Sequence, residues 1–212
     1  MEKDKKNYFY LIIKRLFDII ISIIGLILTI PIYILIRICY ICTGDFSSVI
    51  YSHIRVGKNG KLFKLYKFRS MVKNADKKLE EIFKNNPQLE KEWKENHKLE
   101  NDPRITKIGN IIRKLSLDEC PQFFNLLLGN MSLVGPRPLV VGELDEHHGN
   151  HDIYESVKPG ITGWWAVNGR SCTSYKKRLE LEYYYCKNCS IGLDIKCIFK
   201  TIGAVLCKKG AK

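Results

Sequence analysis

The chain has 212 residues, of which 45% are apolar and 27% charged, with 15 Gly and 7 Pro; this excludes a disordered, collagen-like or low-complexity polymer and leaves room for one domain with an appendage. Lys and Arg number 35 against 22 Asp and Glu, a formal charge of +13, so the natural partners are polyanions: nucleic acid, an anionic membrane surface or phosphate-bearing substrates. The eight Cys come without a cleavable signal pattern in a chain that needs no disulfide staples, which favours a reducing compartment; Cys186 and Cys189 form a lone CxxC and read as packing residues.

No charged residue occurs from Ile19 to Ile36, with Lys14, Arg15 and Asp18 before the run and Arg37 after it. As a helix this stretch measures roughly 27 Å, the lower margin for a hydrocarbon core. It shows no polar face, so it is expected in lipid rather than in a protein core. Pro31, well inside the run, predicts a break. A kinked span and a re-entrant hairpin then compete, and basic residues at both ends favour re-entry with both ends cytoplasmic. The expected division is a membrane-embedded segment 1–44 and a catalytic domain 45–212.

Residues 49–70 read as short strands around a Gly57-Lys58-Asn59-Gly60 turn. Residues 73–100 carry 14 charged side chains and predict a solvated helical insert around Pro87, a lid or a partner surface. Ser116-Leu117-Asp118-Glu119 matches a capping box, with a helix expected through Leu128 to Gly129. Asp118 and Glu119 are then either ordinary first-turn acids or a reactive pair. The cations decide: Arg113 and Lys114 precede them, Arg104 and Lys107 stand upstream, and Arg137 follows between Pro136 and Pro138, which fix its guanidinium fork for phosphate oxygens. Two adjacent carboxylates among cations suit phosphoryl transfer through a carboxylate: one attacks phosphorus, the other holds Mg²⁺, and the arginines neutralise oxygens.

A Gly-rich stretch from Pro159 offers Gly160 and Gly163 for close backbone approach, Trp164 and Trp165 as stacking faces and Arg170 as a phosphate donor; a turn around a core tryptophan is the alternative. Leu193 to Cys207 predicts a basic amphipathic helix in a membrane interface, with Ile195, Ile198, Phe199, Ile202, Val205 and Leu206 along one side. The expected class is therefore α+β: a re-entrant N-terminal membrane helix, then a mostly helical cytosolic domain with short β elements and interfacial amphipathic helices.

The succession Lys14-Arg15-Leu16-Phe17-Asp18, Pro31, Lys67-Phe68-Arg69-Ser70-Met71, Leu115-Ser116-Leu117-Asp118-Glu119, Met131-Ser132-Leu133-Val134-Gly135-Pro136-Arg137-Pro138, Pro159-Gly160-Ile161-Thr162-Gly163-Trp164, Asn168-Gly169-Arg170 and Leu193-Asp194 resembles the bacterial sugar transferases, the monotopic polyprenyl-phosphate phosphoglycosyl transferases, over nearly the whole chain. The resemblance implies transfer of a sugar 1-phosphate from a UDP-sugar to undecaprenyl phosphate at the cytoplasmic face of the bacterial inner membrane, releasing UMP, in polysaccharide or glycoconjugate assembly. It implies Asp118 as nucleophile, Glu119 as Mg²⁺ ligand, Arg137 as a phosphate clamp, and Arg113, Lys67, Arg69 and Arg170 as phosphate or nucleotide contacts. Two positions depart from the pattern: Ile30 stands before the membrane proline where relatives commonly carry Ser, and Ala166 where a Gln often follows the tryptophan loop. The insert ending Asn101-Asp102-Pro103-Arg104 is similar to that of galactose and glucose 1-phosphate transferases, and the resemblance implies a form without the long N-terminal membrane region of many relatives. Nucleic acid is not among the expected partners, and self-association is left open. Two other classes compete: a membrane-tethered basic module engaging anionic lipid or RNA, which has no use for Asp118 and Glu119, and a scaffold docking through the 73–100 insert.

Overall fold

The computed structural model describes residues 2–96, 99, 101–169 and 173–206. Helix α1 (Glu2–Cys42) runs unbroken through Pro31. The expected break is therefore not a gap in the helix: a proline deletes only one backbone bond, and packing on either side holds the rest in register. The expectation of an all-apolar helix also needs correction. Tyr10, Asp18, Ser22, Thr29, Ile36 and Tyr40 are buried at steps of four, seven or eight, which places them with Lys14 and Gly25 on one stripe, and that stripe faces the rest of the protein. The stripe is legible only with small and hydroxyl residues counted as polar. Its bonds are specific: Asp18 accepts from the Ser132 hydroxyl and the Leu133 amide, and Arg15 donates to the Leu126 and Leu127 carbonyls. The remaining faces of α1 leave Leu16, Ile20, Ile23, Ile24, Ile27 and Leu28 exposed, and the helix is long and apolar enough to cross a membrane.

Strands β1 (Ile50–Val56) and β2 (Leu62–Phe68) form the expected antiparallel hairpin, Ile50 opposite Phe68 and Val56 opposite Leu62. The turn places Asn59 and Gly60 at positive φ, which Asn and Gly tolerate. The charged insert folds as α2 (Ala75–Asn85) and α3 (Pro87–Asn96), with Phe83 and Trp93 in ring contact between them. Helix α4 (Lys107–Lys114) is capped by the Thr106 hydroxyl, which accepts from the Gly109 amide. Then come α5 (Gln122–Leu128), β3 (Ser132–Val134), the short helices α6 (Glu143–Glu146) and α7 (His151–Tyr154), β4 (Gly160–Thr162), α8 (Trp164–Asn168), α9 (Tyr175–Asn188) and α10 (Ile191–Leu206). β3 and β4 pair in parallel, Ser132 with Gly160 and Val134 with Thr162.

One buried cluster joins Ile36 and Tyr40 of α1 to Val49, Phe68 and Ile112, so α1 shares a core with the hairpin and α4. A second joins the hairpin to α5 and Met131, and a third packs Val134, Tyr185 and Cys197 with α8 and α10. Gly160 and Gly163 do allow close backbone approach, but toward Gly135: a Cβ on either would overlap its backbone. Along α10, Ile191, Ile195, Phe199 and Ile202 form an exposed apolar stripe, whereas Ile198 turns inward against the third cluster; Cys207 lies outside the described residues.

Candidate active site

The loop from α4 to α5 reverses at Ser116, whose φ of 55° is left-handed and whose side chain makes no cap bond, so the expected capping box is absent. A single 3₁₀ turn, Leu117–Glu119, replaces the helix start. Leu117 and Cys120, three apart and therefore on one side of such a turn, pack against the cluster of Ile36, Tyr40, Phe68 and Ile112. That anchoring leaves Asp118 and Glu119, between them, on the accessible side.

β2 brings up the counter-charge. The Lys67 ammonium lies 3.2 Å from Glu119 Oε1 and 3.6 Å from Asp118 Oδ2, bridging both acids. Its strand is fixed by Asn125 of α5, whose side chain accepts from the Tyr66 amide and donates to the Lys64 carbonyl, as a further strand would. The end of β2 is tied to the start of α4, since the Thr106 amide donates to the Ser70 carbonyl and Gly109 lies so close to Ser70 that a Cβ would collide with it. Arg113, on the last turn of α4, donates from Nε to the Ser70 hydroxyl at 2.9 Å.

Burial raises the Asp118 carboxyl above the ordinary aspartate range; Lys67 opposes this, Glu119 adds to it as a like charge, and Arg113 opposes it more weakly. Asp118 side-chain exposure is 18% against 46% for Glu119, so the two acids differ in environment. Asp118 is the desolvated one, suited to attack, and Glu119 the hydrated one, suited to a cation. No group of three metal-ligating side chains occurs among the described residues. Mg²⁺ held by one or two carboxylates and substrate phosphate oxygens needs no such group, so these two acids fit it.

The other expected contacts fall elsewhere. Arg69 is occupied in structure: Nε donates to the Ser48 carbonyl, the guanidinium pairs with Asp45 at 2.8 Å and stacks 4.4 Å from the Tyr40 ring centroid. Arg137 belongs to a second cluster. Its amide donates to Glu182 Oε1 at 3.1 Å and its carbonyl accepts from the Tyr154 hydroxyl at 2.9 Å, so its backbone is held on both sides. Its exposed guanidinium reaches the Trp165 ring at 6.0 Å, and Arg178 lies between Trp165 at 4.9 Å and Tyr175 at 4.8 Å. Glu182 is fully buried here and its carboxyl is pushed up to about 7 by that burial. Arg178 and Glu182 escaped the sequence reading; their one signal is the i, i+4 spacing of opposite charges. Arg170 lies outside the described residues. Cys186 is buried with its thiol pushed up to about 12, an inert packing environment.

Residues 9–208 match the family described as bacterial sugar transferase. The undecaprenyl-phosphate galactose phosphotransferase of Salmonella typhimurium is 48% identical over 94% of this chain and 41% of its own length. The UDP-galactose-lipid carrier transferase of Erwinia amylovora is 47% identical, with the same 94% and 41% covered. The exopolysaccharide production protein ExoY of Sinorhizobium fredii is 42% identical over 93% of this chain and 87% of its own length. The chain thus spans about two fifths of the first two relatives and most of the third.

Proposed function

Because the chain belongs to the bacterial sugar transferase family, we propose that it moves a sugar 1-phosphate from a UDP-sugar to undecaprenyl phosphate at the cytoplasmic face of the inner membrane, in exopolysaccharide assembly. The observation that carries the reading is the half-buried Asp118 held beside Glu119 under one lysine. An Asp118 oxygen attacks the β-phosphorus of the UDP-sugar, the bond from that phosphorus to the bridging oxygen breaks, and UMP leaves with the electron pair. An oxygen of undecaprenyl phosphate then attacks the same phosphorus, the acyl-phosphate bond breaks, and the Asp118 carboxylate is restored. Lys67 and Arg113 keep Asp118 ionised against its burial and neutralise phosphate oxygens as they approach. Glu119 would hold Mg²⁺ together with substrate oxygens, and the bound ion would supply further charge neutralisation. Arg137, aimed by its two backbone bonds, meets phosphate from the second cluster, and galactose or glucose is the proposed sugar.

Topology follows the same proposal. Lys14, before the apolar run, pairs with Asp194 at 2.6 Å, and Tyr40, after it, donates to the Arg69 carbonyl. Both flanks engage one polar domain, which supports a monotopic arrangement with both on one side. The exposed stripe of α10 supports an interfacial position. The test is UMP release from a panel of UDP-sugars with undecaprenyl phosphate: one hexose should be used and Asp118→Asn should release none. Release that persists in Asp118→Asn overturns the assignment.

A further inference from the structure

A cavity of about 450 Å³ opens beside the N-terminal part of α1, away from Asp118 and Glu119, neither of which lines it. Its size is that of a pocket for a small ligand. α1 contributes Lys14, Arg15 and Asp18; the hairpin turn contributes Lys58, and the loop before β4 contributes Lys158. Most of these charges are already used. Lys14 is neutralised by Asp194, which also accepts from the Tyr10 and Tyr185 hydroxyls. Arg15 closes the carbonyl end of α5, and Asp18 holds the start of β3. Lys58 and Lys158 are different: no described acid forms an ion pair with either. Lys158 is half-buried, and its ammonium is disfavoured by that burial and by the neighbouring Arg15, with only Asp18 among its nearest charges to favour it. Arg15, Lys58 and Lys158 against Asp18 leave the cavity with an excess of positive charge that the protein itself does not balance.

The position says what balances it. Leu11, on the wall, is exposed, as are Ile12 and Leu16 beside it, and the uncharged run of α1 begins at Ile19. The cavity thus sits beside the N-terminal end of the uncharged run, on a helix with apolar side chains on its outer faces, and both cations and the exposed Leu11 line it. A soluble phosphate has no use for that apolar wall. We propose that this cavity binds the phosphate headgroup of an anionic glycerophospholipid, Lys158 and Lys58 meeting the phosphate and Leu11 with its neighbours meeting the acyl chains. This lipid is structural company for α1 and not a substrate, so the proposal stands apart from the transferase reading.

Native mass spectrometry of the full chain in detergent, titrated with dioctanoyl phosphatidylglycerol, tests it. One lipid should bind per chain, dioctanoyl phosphatidylcholine should bind at least about tenfold more weakly, and Lys158→Ala should weaken phosphatidylglycerol by about tenfold, the effect of one charge-assisted contact. Lys158→Arg should retain binding, and Lys58→Ala provides a second variant should Lys158→Ala not fold. Equal binding of phosphatidylcholine, or undiminished binding in both alanine variants, overturns the proposal. Displacement by inorganic phosphate at similar concentration would make it a soluble-anion site, and one-for-one displacement by undecaprenyl phosphate would make it part of the acceptor site; either overturns it too. UMP release measured on the same samples keeps this outcome separate from that of the transferase reading.

Discussion

Lys67 faces two acids at once, and the more buried of them, Asp118, is the proposed nucleophile. Replacing Lys67 by Met removes the largest influence holding Asp118 ionised, so the acid limb of kcat/KM should move to higher pH, with a lower plateau. An unmoved limb would show that Lys67 does not set the charge of Asp118. Glu182 offers an independent check through stability. It titrates near pH 7 in the folded protein against an ordinary 4.5, so between those values the folded state holds more protons than the unfolded chain. Stability then falls as pH rises through that window, and the loss is complete above about pH 7. Glu182→Gln cannot ionise. It should melt like the wild type at pH 4.5 and be more stable at pH 8, by at most about 3 kcal/mol; equal melting at both pH values would contradict a carboxyl whose ionisation burial opposes.

The hairpin, the charged insert, α5 with its Gly129 terminus and the C-terminal helix were legible, because each rests on periodicity or on turn residues whose effect is local. Where the reading failed, the determinants were tertiary. Ser116 has the composition of a cap, yet the pull of Leu117 and Cys120 into the core turns the segment into a single 3₁₀ turn and Ser116 into a left-handed corner. α1 looked uniformly apolar because its polar stripe is made of Ser22, Gly25 and Thr29, small residues that the hydropathy of their neighbours conceals. The acids were found by type and spacing and Lys67 through the family resemblance, whereas Arg178 and Glu182 required the fold that stacks α9 on Trp165. The stripe carries its own prediction. A Cβ at Gly25 would overlap the Phe123 ring, so Gly25→Val should loosen α1 from α5 and cost about 1–3 kcal/mol, read as a lower melting temperature in detergent. A variant melting like the wild type would show that α1 does not pack closely there.

The whole molecule consists of a long apolar helix joined along one stripe to a basic domain, and this union is what a water-soluble donor and a lipid-borne acceptor require of one site. If both flanks of the apolar run lie on the cytoplasmic side, a cysteine introduced at residue 2 should resist a membrane-impermeant maleimide in intact cells and react in inverted vesicles, with the native cysteines as reference. Labelling from outside intact cells would place the N-terminus across the membrane. In the proposed reaction the two substrates meet Asp118 in turn, which makes the phosphosugar carried on that carboxylate the central claim. The direct measurement is the intact mass of the full chain after incubation with the UDP-sugar alone. The account predicts a gain of one sugar phosphate that maps to Asp118, disappears on adding undecaprenyl phosphate and is absent from Asp118→Asn. An unchanged mass in a preparation that turns over, with initial-rate lines for donor and acceptor that intersect, would mean direct transfer in a ternary complex.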